Sequence, residues 1–379
     1  MNNYCDHVAI VGAGIAGLAL GIILKKNNIN CVIFEKSKSV SEYGAGISIS
    51  PNGMKVLKYI DLQSEFCKVS EQPRNTVFFS NNKKITEVLS EVRTTSRKNL
   101  YNILLEKYLS LEGEIFFNHR LEDLDTQNNS IKFSNTKSFN VCHIAACDGI
   151  RSICQEKIFE PNNKPHYSGY SVWRAIFPYQ QNEINFYLGS NFHIVTYPID
   201  RERISFIASL KSKNKYIESW KEKGTLNELL SEIEFDILKK YPTIRHASDI
   251  YKWGIYVRPE LKNLFYQNVT FFGDAAHPVV PFIGQGASLA LEDVFIFGSL
   301  LNKYKNDFEA TQKDYQSLRL KRIRSIHKKS LNQAKLNHLS NPLNVFARNI
   351  LMRYTNVILK RTNSIWSYDV KKVIKSKLY

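Results

Sequence analysis

The sequence predicts an α/β protein of two domains followed by a helical C-terminal segment. Three observations support this prediction: a strand–helix–strand pattern at the N-terminus, a middle region of short alternating apolar runs, and a strongly basic C-terminal stretch. A chain of 379 residues typically contains two or three domains. Hydrophobic residues make up 43% and charged residues 23%, which excludes a disordered or fibrous chain and allows a large core.

The N-terminal unit has a glycine-rich turn between its first strand and its helix. The apolar run 7–11 leads directly into Gly12-Ala-Gly14-Ile-Ala-Gly17, and a helical pattern continues to Lys26. Gly12 permits the tight turn, Gly14 lets the backbone approach a pyrophosphate, and Gly17 lets the helix pack on the strand. Free N–H groups at the start of this helix favour a bound anion.

An acidic residue completes this unit. Cys31–Phe34 is the second apolar run, and Glu35 follows it at about the 20-residue spacing expected of a ribose-binding acid. A GxGxxG motif alone is weak evidence, but both strands, the helix and the acid together predict a site for an adenine dinucleotide. This unit by itself does not distinguish NAD from FAD.

Later segments place glycines and acids at the ends of strands or the starts of helices. Glycine-bounded turns that open a helix suit anions and polar rings, and acids at the ends of two distant strands suit the hydroxyls of a long ligand. A basic residue in the first turn of a helix is unfavourable for helix stability, so Arg97 is either a surface charge or a phosphate contact. The positions concerned are Gly44, Gly46, Arg97, Asp148, Gly273, Asp274, Gly286 and Ala287.

In chain order, these motifs closely resemble those of the single-component FAD-dependent aromatic hydroxylases (the p-hydroxybenzoate hydroxylase family), and most of all its salicylate hydroxylase-like branch. The resemblance covers essentially the whole chain. It implies a Rossmann-like FAD-binding domain with an inserted antiparallel β-sheet substrate domain and C-terminal helices. The motifs are GAGIAG with Glu35-Lys36, GAGISISPNG, SRKNL, ACDGIRS and FFGDAAHPVVPFIGQGASLALEDV. The implied segments are 1–70, 97–166 and 257–318 for FAD, 71–96 and 167–256 for substrate, and 319–379 for the basic helices.

The same resemblance implies the cofactors and their ligands. NADH or NADPH reduces FAD, and O₂ then forms a flavin hydroperoxide that hydroxylates an aromatic or heteroaromatic ring. Two positions depart from the family pattern, because Cys147 stands where Ala is usual and Gln155 where Arg is usual. The second departure leaves the choice between NADH and NADPH open. The implied FAD contacts are Gly12, Gly14, Gly17, Glu35, Lys36, Arg97, Asp148, Gly273, Asp274, Gly286 and Ala287.

The middle region holds the predicted substrate site. Alternating runs between 167 and 256 predict an antiparallel sheet, and a helix is expected over 220–240. In the salicylate hydroxylase-like branch, a His and a Tyr four residues apart on one strand and the Gln of Gly-Gln-Gly line the substrate pocket. His193, Tyr197 and Gln285 match these positions, and residues four apart on a strand share a face. A neutral histidine can deprotonate a phenol, so His193 is the candidate base.

Three assignments in the substrate region have alternatives. His193 is either the base or a half-buried histidine whose ring is satisfied by the backbone. Arg174 either binds a substrate carboxylate or is paired within the sheet. His277, beside Asp274, is a rival base that the family likeness places in the loop by the flavin. Ser-His-Asp, HExxH and zinc spacings are absent from the sequence, so we expect neither a hydrolase nor a metal site.

The formal charge of +17 is concentrated at the C-terminus. Residues 319–379 contain 15 Lys or Arg and one acid, Asp369. One interpretation is a solvated helix face, and the other is attraction to an anionic membrane surface. We expect a helix through Ser330, a break at Asn341-Pro342 and a second helix over 343–360 whose apolar stripe docks on the protein or on lipid. Nucleic acid is not an expected partner, because no nucleic-acid-binding motif accompanies the charge.

The remaining alternatives concern activity and location. A hydroxylase of a polyprenylated phenol in quinone biosynthesis, a flavin-dependent polyprenyl reductase and a non-catalytic flavoprotein scaffold compete with the small-aromatic hydroxylase. The halogenase motif Trp-x-Trp-x-Ile-Pro is absent. The sequence has no apolar run of membrane-spanning length and its six cysteines have no disulfide-scaffold spacing, so we expect a cytoplasmic protein with or without membrane contact. Monomer and homodimer both remain open.

Overall fold

The computed structural model describes residues 2–38, 45–159, 163–212, 223–233, 238–247 and 249–378. The strands are β1 (Asn2–Val11), β2 (Cys31–Phe34), β3 (Gly46–Ile49), β4 (Asn75–Ser80), β5 (Lys83–Leu89), β6 (Arg93–Ser96), β7 (Glu114–Phe116), β8 (Leu121–Asp125), β9 (Ser130–Phe133), β10 (Ser138–Ala146), β11 (His166–Pro178), β12 (Glu183–Gly189), β13 (Phe192–Pro198), β14 (Arg203–Lys211), β15 (Ile250–Val257), β16 (Phe265–Tyr266) and β17 (Val269–Phe271). The helices are α1 (Ile15–Lys26), α2 (Pro51–Tyr59), α3 (Gln63–Lys68), α4 (Arg97–Ser110), α5 (Ile153–Phe159), α6 (Leu226–Glu232), α7 (Gly286–Lys303), α8 (Phe308–Asn337), α9 (Pro342–Tyr354), α10 (Val357–Trp366) and α11 (Val370–Leu378). The predicted α/β fold class is confirmed.

A mixed, mainly parallel sheet of eight strands organises the first domain. Its main strand order is β16-β17-β10-β1-β2-β7, and β1 pairs in parallel with both β10 and β2. The pairs β16–β17 and β9–β10 are antiparallel. The second half of β1, Val8–Val11, and the whole of β2 are continuous apolar runs because helices cover this part of the sheet. The chain leaves β1 towards one side and returns through β10 on the other, which creates a crevice beyond the carboxyl ends of the central strands. Open α/β sheets bind ligands at such a point.

A seven-stranded sheet forms the second domain, in the order β15-β11-β14-β13-β12-β4-β5. Strands β4 and β5 come from the 71–96 stretch and join this sheet through the parallel pair β12–β4. One face packs on α6 and a short 3₁₀ turn through large side chains such as Trp173 and Phe206. The other face turns towards the first domain, where Trp253 packs with Val280 and Phe282. This face therefore adjoins the loop that precedes α7.

Two predicted helices differ from the structure. The helix expected over 220–240 falls partly outside the described residues, and in the described part α6 covers only Leu226–Glu232. The single helix expected over 343–360 is wrong, because it is divided into α9 and α10 at Thr355. Thr355 is extended, and its hydroxyl donates to the Leu351 carbonyl and accepts from the backbone N–H of Val357. Such bonds from a side chain to the nearby backbone compete with the helical pattern and favour a break between the two helices.

Helix α8 joins the basic C-terminal segment to the first domain without a break. It begins at Phe308 and continues through the expected segment boundary at 318/319 to Asn337. Helix α11 in turn contacts α7. None of the described helices has an apolar stretch long enough to cross a bilayer.

A buried cluster of charges connects α7 and α8. Glu292 and Asp293 are adjacent on α7, and both are fully buried. Arg319 of α8 lies 2.8 Å from each carboxylate and is itself fully buried, and Arg322 lies 3.0 Å from Glu292. Burial alone would raise the pKa of Asp293, but His277 and Arg319 hold it below its ordinary value. Removal of one partner from such a cluster leaves an uncompensated buried charge.

The substitution Arg319→Met tests this cluster. It keeps most of the side-chain volume but removes the cation that both buried carboxylates share, which leaves Glu292 with Arg322 and Asp293 with His277. We therefore expect the free energy of unfolding to fall by about 3–5 kcal/mol. Urea denaturation of the FAD-loaded protein measures the change. The control Arg324→Met removes a half-exposed partner of Glu260 and is expected to cost less than about 1 kcal/mol. Equal losses in the two variants would contradict the importance of the cluster.

Candidate active site

The glycine-rich turn has the geometry that a bound pyrophosphate needs. Gly12 has φ +105°, a conformation that L side chains rarely adopt, and a Cβ there would lie 2.6 Å from the Cys147 carbonyl oxygen. A Cβ on Gly17 would lie 1.9 Å from the Gly12 carbonyl oxygen, so α1 can pack on the turn only with glycine there. A Cβ on Gly14 would meet no atom within 4 Å. The space in front of Gly14 is therefore open at the start of α1, where helix N–H groups attract an anion.

Glu35 lies across this turn at the end of β2. Its carboxylate accepts hydrogen bonds from the backbone N–H groups of Ala13 and Ser37, each at 2.8 Å. The two bonds hold the carboxylate beside the glycine turn, where its remaining lone pairs are available to hydroxyl donors. Lys36 is exposed next to it. Gly44, also expected near this site, lies outside the described residues.

A further part of the groove lies between β17 and α7. Asp274 is exposed, yet burial in the surrounding protein raises its pKa, with His277 and Arg97 opposing this effect. A Cβ on Gly286, the first residue of α7, would meet no atom within 4 Å. The starts of two helices, α1 and α7, therefore face open space beside the crevice.

The loop after β10 supplies a third wall. Asp148 accepts a hydrogen bond from the Cys154 backbone N–H through Oδ2 at 3.1 Å, whereas its buried Oδ1 has no hydrogen-bond partner among the described residues. The buried Gln155 side chain accepts from the Arg258 guanidinium at 2.8 Å and donates to the Ala275 carbonyl. The family pattern has an arginine at position 155, where this chain has glutamine. Arg258 therefore supplies a guanidinium to this loop from another part of the chain.

These features fit FAD. A pyrophosphate fits the open face of Gly14, and ribose hydroxyls fit the carboxylate of Glu35. Two further acceptors are available for other hydroxyls of a long ligand: the buried oxygen of Asp148 that has no hydrogen-bond partner among the described residues, and the carboxylate of Asp274. The sheet brings four of these positions to one edge, because they follow the carboxyl ends of β1, β2, β10 and β17, although they are far apart in the sequence: Gly12, Glu35, Asp148 and Asp274.

The substrate-domain face beside this groove carries three of the predicted polar residues. His193 and Tyr197 are buried on β13, and β14 places Ser209 and Ser205 directly opposite them. In register, Arg174 of β11 lies on the same face, and its guanidinium stacks on Trp253 at 5.3 Å. Burial raises the pKa of Tyr197, so its hydroxyl is neutral near pH 7.

Gln285 and His277 are directed elsewhere. The Gln285 amide is buried, donates to Ser50 at 2.8 Å and accepts from Asn52 at 3.0 Å, so both its nitrogen and its oxygen have partners at the start of α2. His277 is paired through Nε2 with the buried Asp293. Both side chains hold the loop before α7 in place.

The structure reveals three candidate functional residues that are not predicted from the sequence: Arg258, Arg319 and His338. Arg319 and Arg258 are basic residues in segments that show no motif around them, and His338 contacts His193 from another domain. The sequence contains one signal for Arg319: the segment around it has almost no acidic residues, so a carboxylate partner has to come from elsewhere in the chain.

The substitution Gly14→Ala tests the phosphate site. Gly14 has φ −74°, which alanine adopts without strain, so the fold is expected to remain while the methyl group enters the phosphate space. We expect the Kd for FAD to rise at least about tenfold, since close backbone approach to the pyrophosphate is lost. Fluorescence titration of the apoprotein with FAD measures it. The matched variant Gly17→Ala places its methyl group against the Gly12 carbonyl, so it should lower the unfolding midpoint of the apoprotein in addition to its FAD affinity. An unchanged FAD affinity in Gly14→Ala would contradict this placement of the phosphates.

Comparison with known proteins agrees with this geometry. The family model described as "FAD binding domain" matches residues 6–330. The chain is 24% identical to 3-amino-4-hydroxybenzoate 2-monooxygenase of Streptomyces cremeus, covering 96% of this chain and 94% of the relative, and 24% identical to salicylate hydroxylase of Pseudomonas putida, covering 96% and 92%. The structure of Klebsiella pneumoniae HpxO with FAD and uric acid superposes with a TM-score of 0.82 at 20% identity, covering 95% of this chain and 96% of that one. The predicted fold, cofactor and enzyme class are confirmed, and the chain belongs to the FAD-binding family of FAD-dependent aromatic hydroxylases.

Proposed function

We propose that this FAD-dependent monooxygenase hydroxylates a phenolic or heteroaromatic acid held between β13 and the loop before α7. The observation that carries the proposal is the shared face of Arg174, His193 and Tyr197, which turns towards the loop beside the FAD groove. Bound FAD supplies the redox chemistry by accepting a hydride from NADH or NADPH and activating O₂. The protein must bind the ring, orient it and exclude water.

We assign the FAD contacts as the sequence predicts them. Gly12, Gly14 and Gly17 shape the pyrophosphate site, and Glu35 with Lys36 lies at the adenosine ribose. Arg97 and Asp274, which interact electrostatically, lie at the ribityl region. The remaining contacts, at Asp148, Gly273, Gly286 and Ala287, complete the groove from β10, β17 and the start of α7. The support is the open space at both helix starts and the acceptors between them.

His193 is the proposed base. Burial lowers its pKa well below the ordinary value, so the ring is neutral near pH 7 and one of its nitrogens has a lone pair to accept a proton. A phenol that loses its proton becomes a more electron-rich ring, which favours attack by an electrophilic oxygen. Tyr197 lies on the same face and, as a neutral hydroxyl, can donate to the oxygen of the substrate.

Arg174 supplies the preference for an acid. Its guanidinium lies within electrostatic reach of Tyr197 and of a second cation, Arg97. Two positive groups beside an apolar wall attract a planar anion, and guanidinium binds carboxylate in a bidentate manner. The named relatives that act on aminohydroxybenzoate and salicylate are consistent with this substrate class.

The test begins with the FAD-loaded protein. NADH and NADPH oxidation is followed under air against phenolic acids, heteroaromatic acids, their neutral amides and prenylated phenols, with product detection by mass. We expect stimulation by one of the acids and a product heavier by one oxygen atom, and His193→Ala is expected to lower kcat about 100-fold or more. Stimulation only by prenylated phenols would contradict the small-acid proposal.

Arg174→Met separates recognition from chemistry. It retains a long side chain against Trp253 but removes the charge, so we expect KM for the acid to rise about tenfold or more and KM for the neutral amide to stay nearly unchanged. The control Arg203→Met removes a half-exposed cation of the same sheet that pairs with Asp200. An equal effect on acid and amide would remove Arg174 from carboxylate recognition.

We further propose that the C-terminal helices contact an anionic membrane surface. Five residues at helical spacing on α9 form an exposed apolar ridge: Leu343, Phe346, Ile350, Leu351 and Tyr354. The opposite side of α9 is held by the buried Arg348, which donates to the Leu336 carbonyl and to Ser80, each at 3.1 Å. A second copy of the chain would bring two strongly basic segments together, whereas anionic lipid complements both the ridge and the charge.

Vesicle co-sedimentation tests this contact. We expect more protein to bind vesicles of phosphatidylcholine with phosphatidylglycerol than vesicles of phosphatidylcholine alone, and added salt to weaken binding. The double variant Phe346→Gln/Leu351→Gln should reduce recovery about fivefold or more. The matched control is Leu109→Gln, which changes an exposed leucine on α4, outside the C-terminal helices. Equal recovery with both vesicles, or a homodimer that the double variant dissociates, would contradict the proposal.

A further inference from the structure

We propose that the inner face of the substrate sheet holds a second binding site next to the reacting ring, and that this site takes a second aromatic ring of the same substrate. The inference rests on the proposed function, because it extends the pocket that Arg174, His193 and Tyr197 define. It makes the favoured substrate an acid of two aromatic rings, with its carboxylate at Arg174 and its outer ring on Phe78 and Phe186.

Five side chains form a row across five neighbouring strands of this sheet, β11, β14, β13, β12 and β4. Each member is directly paired with the next, and paired residues on adjacent strands lie on the same face of a sheet. Because neighbouring strands are about 4.8 Å apart, the row is about 19 Å long. We call it the cross-strand row, and its members are Arg174, Ile207, Val195, Phe186 and Phe78.

All five members of the cross-strand row are half-buried, whereas the rows beside it on the same face are largely covered. On one side, the residues two positions along each strand are all buried: Val172, Ser209, His193, Leu188 and Ser80. On the other side, the residues of the three central strands are buried: Ser205, Tyr197 and Ile184. Large apolar side chains that stay half-exposed between covered neighbours favour an apolar ligand.

The C-terminal helices form one wall beside the cross-strand row. His338, at the end of α8, lies with Nε2 3.3 Å from the Ser209 carbonyl oxygen. Arg348 of α9 donates to the Ser80 hydroxyl at 3.1 Å. The wall therefore covers the buried row at both β14 and β4 and leaves the cross-strand row half-open.

The small sheet of β3 and β6 forms the opposite wall. A Cβ on Gly46 of β3 would lie 2.4 Å from the Ser205 Cβ and 2.7 Å from Cε2 of Tyr197. The Thr94 hydroxyl of β6 donates to the Pro198 carbonyl at 2.6 Å. The cross-strand row is thus the floor of a trough with a wall along each side, and a flat, elongated ligand fits such a shape.

The reacting ring has a defined place along this floor. Val195 lies between His193 and Tyr197 on β13, so the candidate base and the candidate donor flank it on the same face. Arg174 lies two strands to one side, where the carboxylate is proposed to bind, and Phe186 lies one strand to the other side. A substrate bound by its carboxylate therefore directs the opposite substituent towards Phe186.

The far part of the trough is aromatic. The rings of Phe78 and Phe186 stack with their centroids 5.1 Å apart and their planes inclined by 22°. Aromatic rings attract one another in offset-stacked and edge-to-face arrangements, in addition to the gain from apolar burial. Since both phenylalanines are half-buried, the pair has ring surface left for a third ring. A second aromatic ring is therefore the occupant that we assign, in preference to a saturated chain.

Calorimetric titration of the FAD-loaded protein tests this site without turnover. The probes are salicylate, 4-phenylsalicylate and 4-cyclohexylsalicylate, which differ only in the substituent opposite the carboxylate. We expect the Kd of 4-phenylsalicylate to be about tenfold lower than that of salicylate and about threefold lower than that of the cyclohexyl analogue. A gain of less than about threefold over salicylate would overturn the site, and equal or tighter binding of the cyclohexyl analogue would overturn the aromatic occupant.

The double variant Phe78→Leu/Phe186→Leu removes both rings but keeps apolar side chains. We expect the Kd of 4-phenylsalicylate to rise about fivefold or more and that of salicylate to change less than about twofold. The matched control Phe79→Leu removes a ring that stacks on Tyr187 at 4.9 Å on the outer face of the same two strands, and should change neither Kd. Equal losses for the two probes, or the same loss in the control, would contradict the proposal. The wild-type titration remains decisive if the double variant fails to fold.

Turnover separates this proposal from the proposed function. For an acid that the wild type hydroxylates, we expect the homologue with a second ring to have a kcat/KM about tenfold higher, chiefly through a lower KM. If the small acid is hydroxylated and the second ring brings no gain, the second site is refuted and the proposed function stands. If no acid is hydroxylated, the proposed function fails, and the titrations still decide whether the cross-strand row takes a second ring.

Discussion

The arrangement of the groove depends on the need to neutralise two adjacent buried carboxylates on one helix, Glu292 and Asp293. Two like charges without solvent are tolerated only where cations are held against them, and Arg319 meets both at 2.8 Å. Asp293 also accepts the backbone N–H of Gly273, at the turn that carries Asp274 into the groove. The ionic cluster therefore fixes α7, α8 and the flavin-side turn relative to one another.

The parallel sheet explains why remote segments form one groove. Loops that leave the carboxyl ends of β1, β2, β10 and β17 meet at the point where the chain changes direction across the sheet. The starts of α1 and α7 face this space with glycines and free N–H groups. A pyrophosphate fits the start of α1 and a polar ring fits the start of α7, which is consistent with FAD as the cofactor of the family.

The two faces of the substrate sheet perform different tasks. Aromatic side chains on the outer face, including Trp173 and Phe206, form a closed core, while the inner face carries isolated polar groups among apolar residues. Desolvation of those groups keeps His193 neutral and keeps the Tyr197 hydroxyl protonated. The cations of the basic C-terminal segment are divided in the same way. Arg319 and Arg348 are buried and bond to groups of the protein itself, so fewer positive charges are available to a partner than the net charge of the segment suggests.

The sequence by itself determined the fold class, the family and the glycine turn, because these depend on short-range patterns: apolar periodicity, and glycine where a side chain would collide with the Gly12 carbonyl. It also placed His193 and Tyr197 on one face, since strand periodicity is local. Only the tertiary structure decided that the Gln285 amide has its partners at the start of α2, that Arg258 meets Gln155, and that His338 bonds His193. These contacts join residues about 100 or more positions apart, and no local pattern encodes which distant side chain will satisfy a buried polar group.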